Sequence, residues 1–291
     1  MAFPPIRIDP QIRVALICPM VHADMFRFPQ KSLHPLTRRI RNRFLTLFGN
    51  QPPRSQGVYR IEIEGHRLKR VCMADSFEAE TYAANLRTFG RDGIYPALIL
   101  CKKNELWVEY IEGERLQEVD REILEKLAGL FAVLYRRDPV LVPTEETHYN
   151  HALHVDLNFL HGVGVLSAAR YRELDAMADR VTPTALWIGY DCVDAILKNF
   201  VICPDGRVRA VDVGSLRASV PIGTGIAKAS IRWLGSGREY FLDALAKHSV
   251  PDFRPYMSFL ELAFSAFWQK NCVLERKSHF VRPEFFDRFV D

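Results

Sequence analysis

The sequence predicts an α+β chain in two lobes, with an antiparallel sheet and one helix toward the N-terminus and a mainly helical part after it. Three observations predict this. Tyr59, Ile61 and Ile63 alternate with polar neighbours up to Gly65, and a second apolar run follows, which reads as a β-hairpin. Val119, Ile123, Leu127, Leu130, Phe131 and Leu134 form an apolar stripe at helical spacing. Asp205-Gly206, set between the apolar runs Phe200 to Cys203 and Val208 to Val213, is a tight-turn signal between two strands. The 291 residues suffice for one large two-lobed domain or two ordinary ones. The expected division is an N-terminal extension over 1–42, an N-lobe over 43–113 and a C-lobe over 114–291.

Composition narrows the function classes. The chain is 48% hydrophobic and 25% charged, the balance of a soluble globular protein. No apolar run approaches the roughly 18 residues of a membrane span, and the opening MAFPPIRIDP lacks the charged-then-apolar layout of a secretory signal. A cytoplasmic location is expected. Six cysteines are scattered without a C-x-x-C pair, which argues against a zinc knuckle or a disulfide framework. A net charge of +4 is too small to argue for a nucleic-acid partner. The basic cluster Arg38, Arg39, Arg41 and Arg43, opposite Leu36, Ile40, Phe44 and Leu47 on a helix, reads first as a solvated face. Peripheral contact with an anionic membrane surface is the alternative.

In chain order, the Pro-rich first 35 residues read as an irregular extension. The hairpin around Gly65 follows, and then Asp75-Ser76-Phe77-Glu78, which fits a capping box that opens a helix with Phe77, Tyr82, Ala83 and Leu86 recurring at helical spacing as its apolar side. Two strands come next, Ala97 to Cys101 and Leu106 to Ile111, joined by a Lys-Lys-Asn turn. The helix over 119–137 is closed by Pro139 and Pro143. His148, His151, His154 and His161 then recur at spacings compatible with one helical face. A metal site is the sharper reading, but the matched carboxylate or cysteine is missing, so cleft or surface histidines are preferred. Beyond a helix over 168–180 and the hairpin at Asp205-Gly206, helices are expected over 240–246, 256–269 and 283–290.

The stretch WIGYDCVDAILKNFVICPDGRVRAVDVGSL carries the chemistry. Asp194 lies in a turn, Asn199 precedes a strand, and the hairpin returns the chain to Asp212-Val213-Gly214. A hairpin brings Asn199 and Asp212 to neighbouring strand ends. An acid, an amide and an acid at one mouth suit phosphoryl transfer: one carboxylate orients the attacking hydroxyl, and an amide oxygen and a second carboxylate hold magnesium against nucleotide phosphates. His154-Val155-Asp156 with His161 is a rival, but no strand hairpin or Asp-x-Gly follows it.

This pattern resembles the catalytic and metal loops of the protein-kinase-like superfamily, H-x-D-x-x-x-x-N followed by a hairpin and D-F-G. Cys192 stands in the His slot and Val213 replaces the Phe. The resemblance covers about residues 43 to 217 and implies ATP and Mg2+ as cofactors, with Asp194 as base or orienter and Asn199 and Asp212 as magnesium ligands. Lys198 would neutralise charge on the transferred group, with an exposed loop lysine as the alternative. Lys69, with Arg70 as competitor, would meet the α and β phosphates, and Glu80, with Glu78 as runner-up, would hold that lysine. Gly57 closes a phosphate loop starting at Gly49, although it matches G-x-G-x-x-G poorly. Backbone groups of Glu109 to Ile111 would bind adenine, and Gly113 would turn the chain into the second lobe.

A long activation segment ending in A-P-E is missing, so the chain is closest in type to the aminoglycoside, choline and lipopolysaccharide-core kinases rather than to protein kinases. The expected activity is transfer of the γ-phosphoryl group to a hydroxyl of a sugar, with the lipopolysaccharide core as one glycan acceptor considered, or of another small polar acceptor. A pseudokinase that binds a nucleotide or a partner without chemistry is the second reading, and a protein kinase the third.

Overall fold

A computed structural model describes residues 57–63 and 66–289. The loop from Gly49 to Gln56, the hairpin turn at Gly65 and the basic cluster from Arg38 to Arg43 lie outside these residues. The chain divides into two compact units. The sheet unit comprises, among the described residues, 57–114 and 201–214, and the helical unit comprises 115–200 and 215–289. The segment with Asp212 therefore clusters with the sheet unit and not, as expected, with the C-terminal part.

In the sheet unit, strands β1 (Gly57–Ile63), β2 (His66–Cys72), β3 (Leu98–Lys102) and β4 (Glu105–Glu109) form an antiparallel sheet in the order β1-β2-β4-β3. The register places Tyr59 opposite Arg70 and Arg70 opposite Trp107. Successive residues of a strand point to opposite faces, so Lys69 and Arg70 diverge. Arg70 lies over the Tyr59 and Trp107 rings at 5.9 and 5.7 Å, and its Nε donates to Glu105 Oε2 at 3.0 Å. That contact set removes Arg70 as the competitor of Lys69.

Helix α1 (Ser76–Thr88) packs on β3 and β4. The capping box works as read: Asp75 accepts from the Glu78 N–H at 2.8 Å, while Glu78 Oε2 accepts from the Ala74 N–H at 2.8 Å. Such a cap is worth about 1 kcal/mol. Ala79, Tyr82, Ala83 and Leu86 of α1 are buried with Val71, Leu106 and Val108 of the sheet, whereas Phe77, expected on the same side, is exposed in the first turn. Each large apolar side chain so removed from water contributes about 1.5–3 kcal/mol. A small ribbon, β5 (Glu114–Arg115), β8 (Phe200–Ile202) and β9 (Val208–Ala210), follows in the order β5-β8-β9. Gly113 is required by close approach: a Cβ there would lie 2.5 Å from the Ile202 carbonyl oxygen.

The helical unit begins with α2 (Arg121–Tyr135), capped by Asp120, which accepts from the Ile123 N–H at 2.8 Å. Leu127, Leu130, Phe131 and Leu134 of the expected stripe are buried, whereas Val119 precedes the helix, Ile123 is half-buried and Leu124 takes the buried place in the first turn. Strands β6 (Val140–Pro143), β7 (Ala185–Cys192) and β10 (Leu216–Pro221) form a second antiparallel sheet in the order β10-β7-β6. This sheet is not announced by the sequence pattern. Its middle strand is apolar on both faces, without the alternation that marks a half-buried strand, and β6 is only four residues long.

Helices α3 (Tyr149–Gly162), α4 (Ala168–Val181), α5 (Thr224–Ala229), α6 (Arg238–Ala246) and α7 (Met257–Leu274) complete the unit. Helix α7 packs on α3, α4 and α5. The α-helix expected over 283–290 is a run of 3-10 turns at Pro283–Phe289.

Candidate active site

Asp194 follows β7 in a short turn and is 36% exposed. Asn199, 8% exposed, closes that turn: its Nδ2 donates to the Asp194 backbone carbonyl at 2.9 Å and to Asp194 Oδ2 at 3.0 Å. Both amide hydrogens are thereby used. The amide oxygen is left as the acceptor a hard cation needs.

The other carboxylate oxygen of Asp194 accepts from Lys228 Nζ of α5. Lys228 is only 8% exposed. Lys198, the lysine the spacing favoured, is exposed, so the cation beside Asp194 comes from a different element. Nothing local announces Lys228, which sits 34 residues beyond Asp194 in a short, otherwise apolar helix.

The loop is braced from beneath. Asp191 is fully buried at the end of β7 and accepts from Tyr135 OH at 3.1 Å and from the backbone N–H groups of Gly223 and Gly225 at 3.0 and 3.1 Å. Burial pushes its carboxyl up to about 7, against the pull of those donors. Desolvation also carries the Tyr135 hydroxyl well above its usual value, with the Asp191 charge adding to it. Gly225 sits so close to the loop that a Cβ would fall 2.1 Å from the Cys192 carbonyl oxygen. Cys192, in the expected His slot, is buried and its thiol donates to Ser215 Oγ at 3.4 Å. Trp233 Nε1 donates to the Ala195 carbonyl at 2.7 Å. The loop is thus tied to β7, α2, α5 and the turn after α5.

In the sheet unit, Asp212 precedes a 3-10 turn at Val213–Ser215, and its Oδ1 accepts from the Gly214 N–H at 3.1 Å. Lys69 Nζ donates to the Val211 carbonyl at 2.5 Å, and Tyr82 OH of α1 donates to the Gly214 carbonyl at 3.3 Å. The two side chains bracket Asp212 from β2 and α1. Glu80 is exposed on α1 near Cys101, whose thiol is pushed up mainly by burial and secondarily by the Glu80 charge, while Glu78 serves the cap. Tyr82, which the helical spacing marked only as core, is the α1 residue that reaches the Asp212 turn.

Glu109 is committed elsewhere. Its N–H donates to the Ala97 carbonyl at 2.9 Å, and its carboxylate takes a two-pronged contact from Arg209 at 2.8 and 2.7 Å. That guanidinium holds the Glu109 carboxyl below its usual range. The Glu109 N–H is thus already paired with Ala97. Ile111 packs with Val201, Cys203 and Val211 in a small apolar cluster, and its backbone makes no main-chain hydrogen bond among the described residues. Gly57 opens β1, opposite Cys72.

The remaining candidates separate. Asp156 is buried in α3 as the partner of Lys270 on α7, a structural ion pair. His154 Nδ1 lies 2.7 Å from Asp175, and the His161 ring stacks on Tyr171 at 5.0 Å. His151 lines a half-open cleft with Thr144, Glu145 and Asn150. No cluster of three or more His, Cys, Asp or Glu suited to a metal occurs among the described residues.

No protein-family model matches the chain, and no curated protein matches it in sequence. Solved structures do match its fold. Choline kinase from Streptococcus pneumoniae superposes with a TM-score of 0.57 at 11% identity, over 88% of this chain and 96% of its own. Macrolide 2'-phosphotransferase from Brachybacterium faecium gives 0.56 at 10% identity, over 87% and 97%. A thermostable mutant aminoglycoside phosphotransferase, solved as a ternary complex with AMP-PNP and hygromycin B, gives 0.55 at 13% identity, over 86% and 97%. The chain has the protein-kinase-like fold seen in small-molecule kinases.

Proposed function

We propose that the protein is an ATP-dependent phosphotransferase that moves the γ-phosphoryl group to a hydroxyl of a small polar acceptor. The observation that carries this reading is the Asp194 turn: a partly exposed carboxylate locked by Asn199 Nδ2 and paired to Lys228, within a fold shared by choline, macrolide and aminoglycoside kinases. The complex of one such neighbour with AMP-PNP supports an ATP-type nucleotide.

Asp194 would orient the acceptor hydroxyl and take its proton as the acceptor oxygen bonds to the γ-phosphorus. The bond to the β,γ-bridging oxygen breaks in the same step and ADP leaves. Lys228 would restrain the Asp194 carboxylate and offset charge as it builds on the phosphoryl oxygens. Lys69 would meet the α and β phosphates, and Ile111 with its apolar neighbours suits an adenine ring.

Asn199 and Asp212 fit magnesium in donor chemistry, since one supplies a free amide oxygen and the other a carboxylate. One or two protein oxygens with substrate phosphates are the usual magnesium set. When bound, the ion would neutralise charge on the nucleotide phosphates.

A sugar or another glycan is retained as the acceptor class. The second reading, a nucleotide-binding module without chemistry, is favoured by the contact of Lys69 with the Val211 carbonyl and by Cys192 in the His slot. Acceptor-dependent ADP release by the purified chain separates the two. The phosphotransferase reading expects release that needs magnesium and falls at least about a hundredfold in Asp194→Asn. ADP release unchanged in that variant would overturn it.

A further inference from the structure

Helix α5 runs directly into a π-helical turn at Ser230–Leu234, which carries Arg232 and Trp233 side by side. Turns of this type recur at functional sites because the extra residue re-aims the side chains around it. From Asp194 a continuous wall can be followed. Lys228 Nζ, bonded to Asp194, lies 5.8 Å from the centre of the Phe264 ring. Phe264 stacks with Trp268 at 6.4 Å, one turn along α7. The Arg232 guanidinium lies over Trp268 at 4.2 Å. Trp233 closes the circuit through its bond to the Ala195 carbonyl, next to Asp194.

Two properties of this wall bear on what it binds. First, its charge is positive. Lys228 is balanced by Asp194, whereas Arg232 is exposed and has no carboxylate partner among the described residues. Second, the ring faces that would attract a cationic ligand already hold cations, Lys228 over Phe264 and Arg232 over Trp268. A ligand ammonium would have to displace one cation and remain near the other. A ligand oxyanion meets a stacked guanidinium with N–H donors in a fork suited to two-point contact.

We infer that the acceptor carries an oxyanion beside its reactive hydroxyl, with Arg232 as the group that recognises it. The acceptor is then a hydroxylated acid or phosphate, opposite in charge to choline. This rests on the phosphotransferase reading for the word acceptor. The charge preference itself rests on the wall alone.

The test uses the full chain and four hexoses that differ in charge: D-glucuronate, D-glucose 6-phosphate, D-glucose and D-glucosamine. Binding is read by calorimetry and by tryptophan fluorescence. At least one of the two anions should bind about tenfold or more tighter than glucose, with glucosamine weakest, and the tighter anion identifies carboxylate or phosphate as the group recognised. Arg232→Gln should erase the preference, and Arg232→Lys should restore part of it. Arg232 is exposed, so both variants should fold, which their thermal unfolding checks. Equal affinities, glucosamine the tightest, no binding of any of the four, or a preference that survives Arg232→Gln would each overturn the inference. A Mg-ATP thermal shift measured in parallel keeps the outcomes apart. A shift without charge preference sinks the acceptor inference alone, whereas a charge preference without a shift sinks the phosphotransferase reading.

Discussion

The loops of Asp194 and Asp212 are held in different ways. Asp194 sits on a turn braced largely from distant elements: Tyr135 and the Gly223 and Gly225 N–H groups on the buried Asp191, Trp233 on Ala195, and Lys228 on the carboxylate itself. Asp212 sits on a turn whose described contacts run through main-chain groups, with Lys69 on the Val211 carbonyl, Tyr82 on the Gly214 carbonyl and the Gly214 N–H on Asp212. A loop built into the core cannot be altered without disturbing the core. A loop contacted through its backbone carbonyls can exchange side chains with less disturbance. Substitutions around Asp194 should therefore register in stability, and those around Asp212 mainly in ligand binding.

The largest expected effect is at Gly225. A Cβ 2.1 Å from the Cys192 carbonyl forces β7 and α5 apart, and Gly225→Ala should lose about 3 kcal/mol or more in urea unfolding. Wild-type stability in that variant would mean that the loop is not seated against α5.

Lys228→Met comes next. It leaves the Asp194 carboxylate without its cation while replacing the lysine stem by a similar volume, so turnover should fall about tenfold to a hundredfold with Mg-ATP affinity kept. Lys198→Met, on an exposed lysine, should leave turnover within about twofold. Equal losses in the two variants would argue for the local spacing over the packed arrangement.

Asp191 gives the comparison a pH signature. Its carboxyl is raised to about 7 in the folded chain, so the folded state holds a proton that the unfolded state releases near pH 4. The stability this contributes is present below about pH 4 and is lost as pH rises to about 7. Asp191→Asn should flatten that decline in thermal midpoints measured across the window. It should also lower stability by about 1–3 kcal/mol, because an amide offers one acceptor where the carboxylate offers two. A slope that persists in the variant would assign the titration to another group.

The smallest effect is expected at Tyr82. Removing its hydroxyl in Tyr82→Phe leaves the buried ring in place and breaks the long contact to Gly214. Stability should change by less than about 1 kcal/mol, while nucleotide affinity weakens by a few fold.

What was legible in the sequence follows from how local each feature is. The hairpin of β1 and β2, the capped helices α1 and α2 and the turn at Asp205-Gly206 are set by neighbouring residues, and all are present. Asn199 and Asp194 contact each other because five residues of one turn bring them together. Lys228 was hidden because its meeting with Asp194 depends on Gly225 seating α5 against β7, which no short pattern encodes. Tyr82 was hidden for a related reason, since its ring reads as core and only its hydroxyl does more. The sheet of β6, β7 and β10 escaped because its central strand lacks alternation.

The central claim is that Asp212 helps to hold a magnesium nucleotide, and thermal unfolding tests it most directly. The chain is melted alone, with Mg-ATP and with ATP plus a chelator, and the series is repeated for Asp212→Asn. At a hundred times its dissociation constant a ligand specific to the folded state adds about 2.7 kcal/mol, a readily seen shift. Mg-ATP should stabilise the chain, and the chelator and the substitution should each remove that gain. A shift of equal size in all three settings, or none in any, would contradict it.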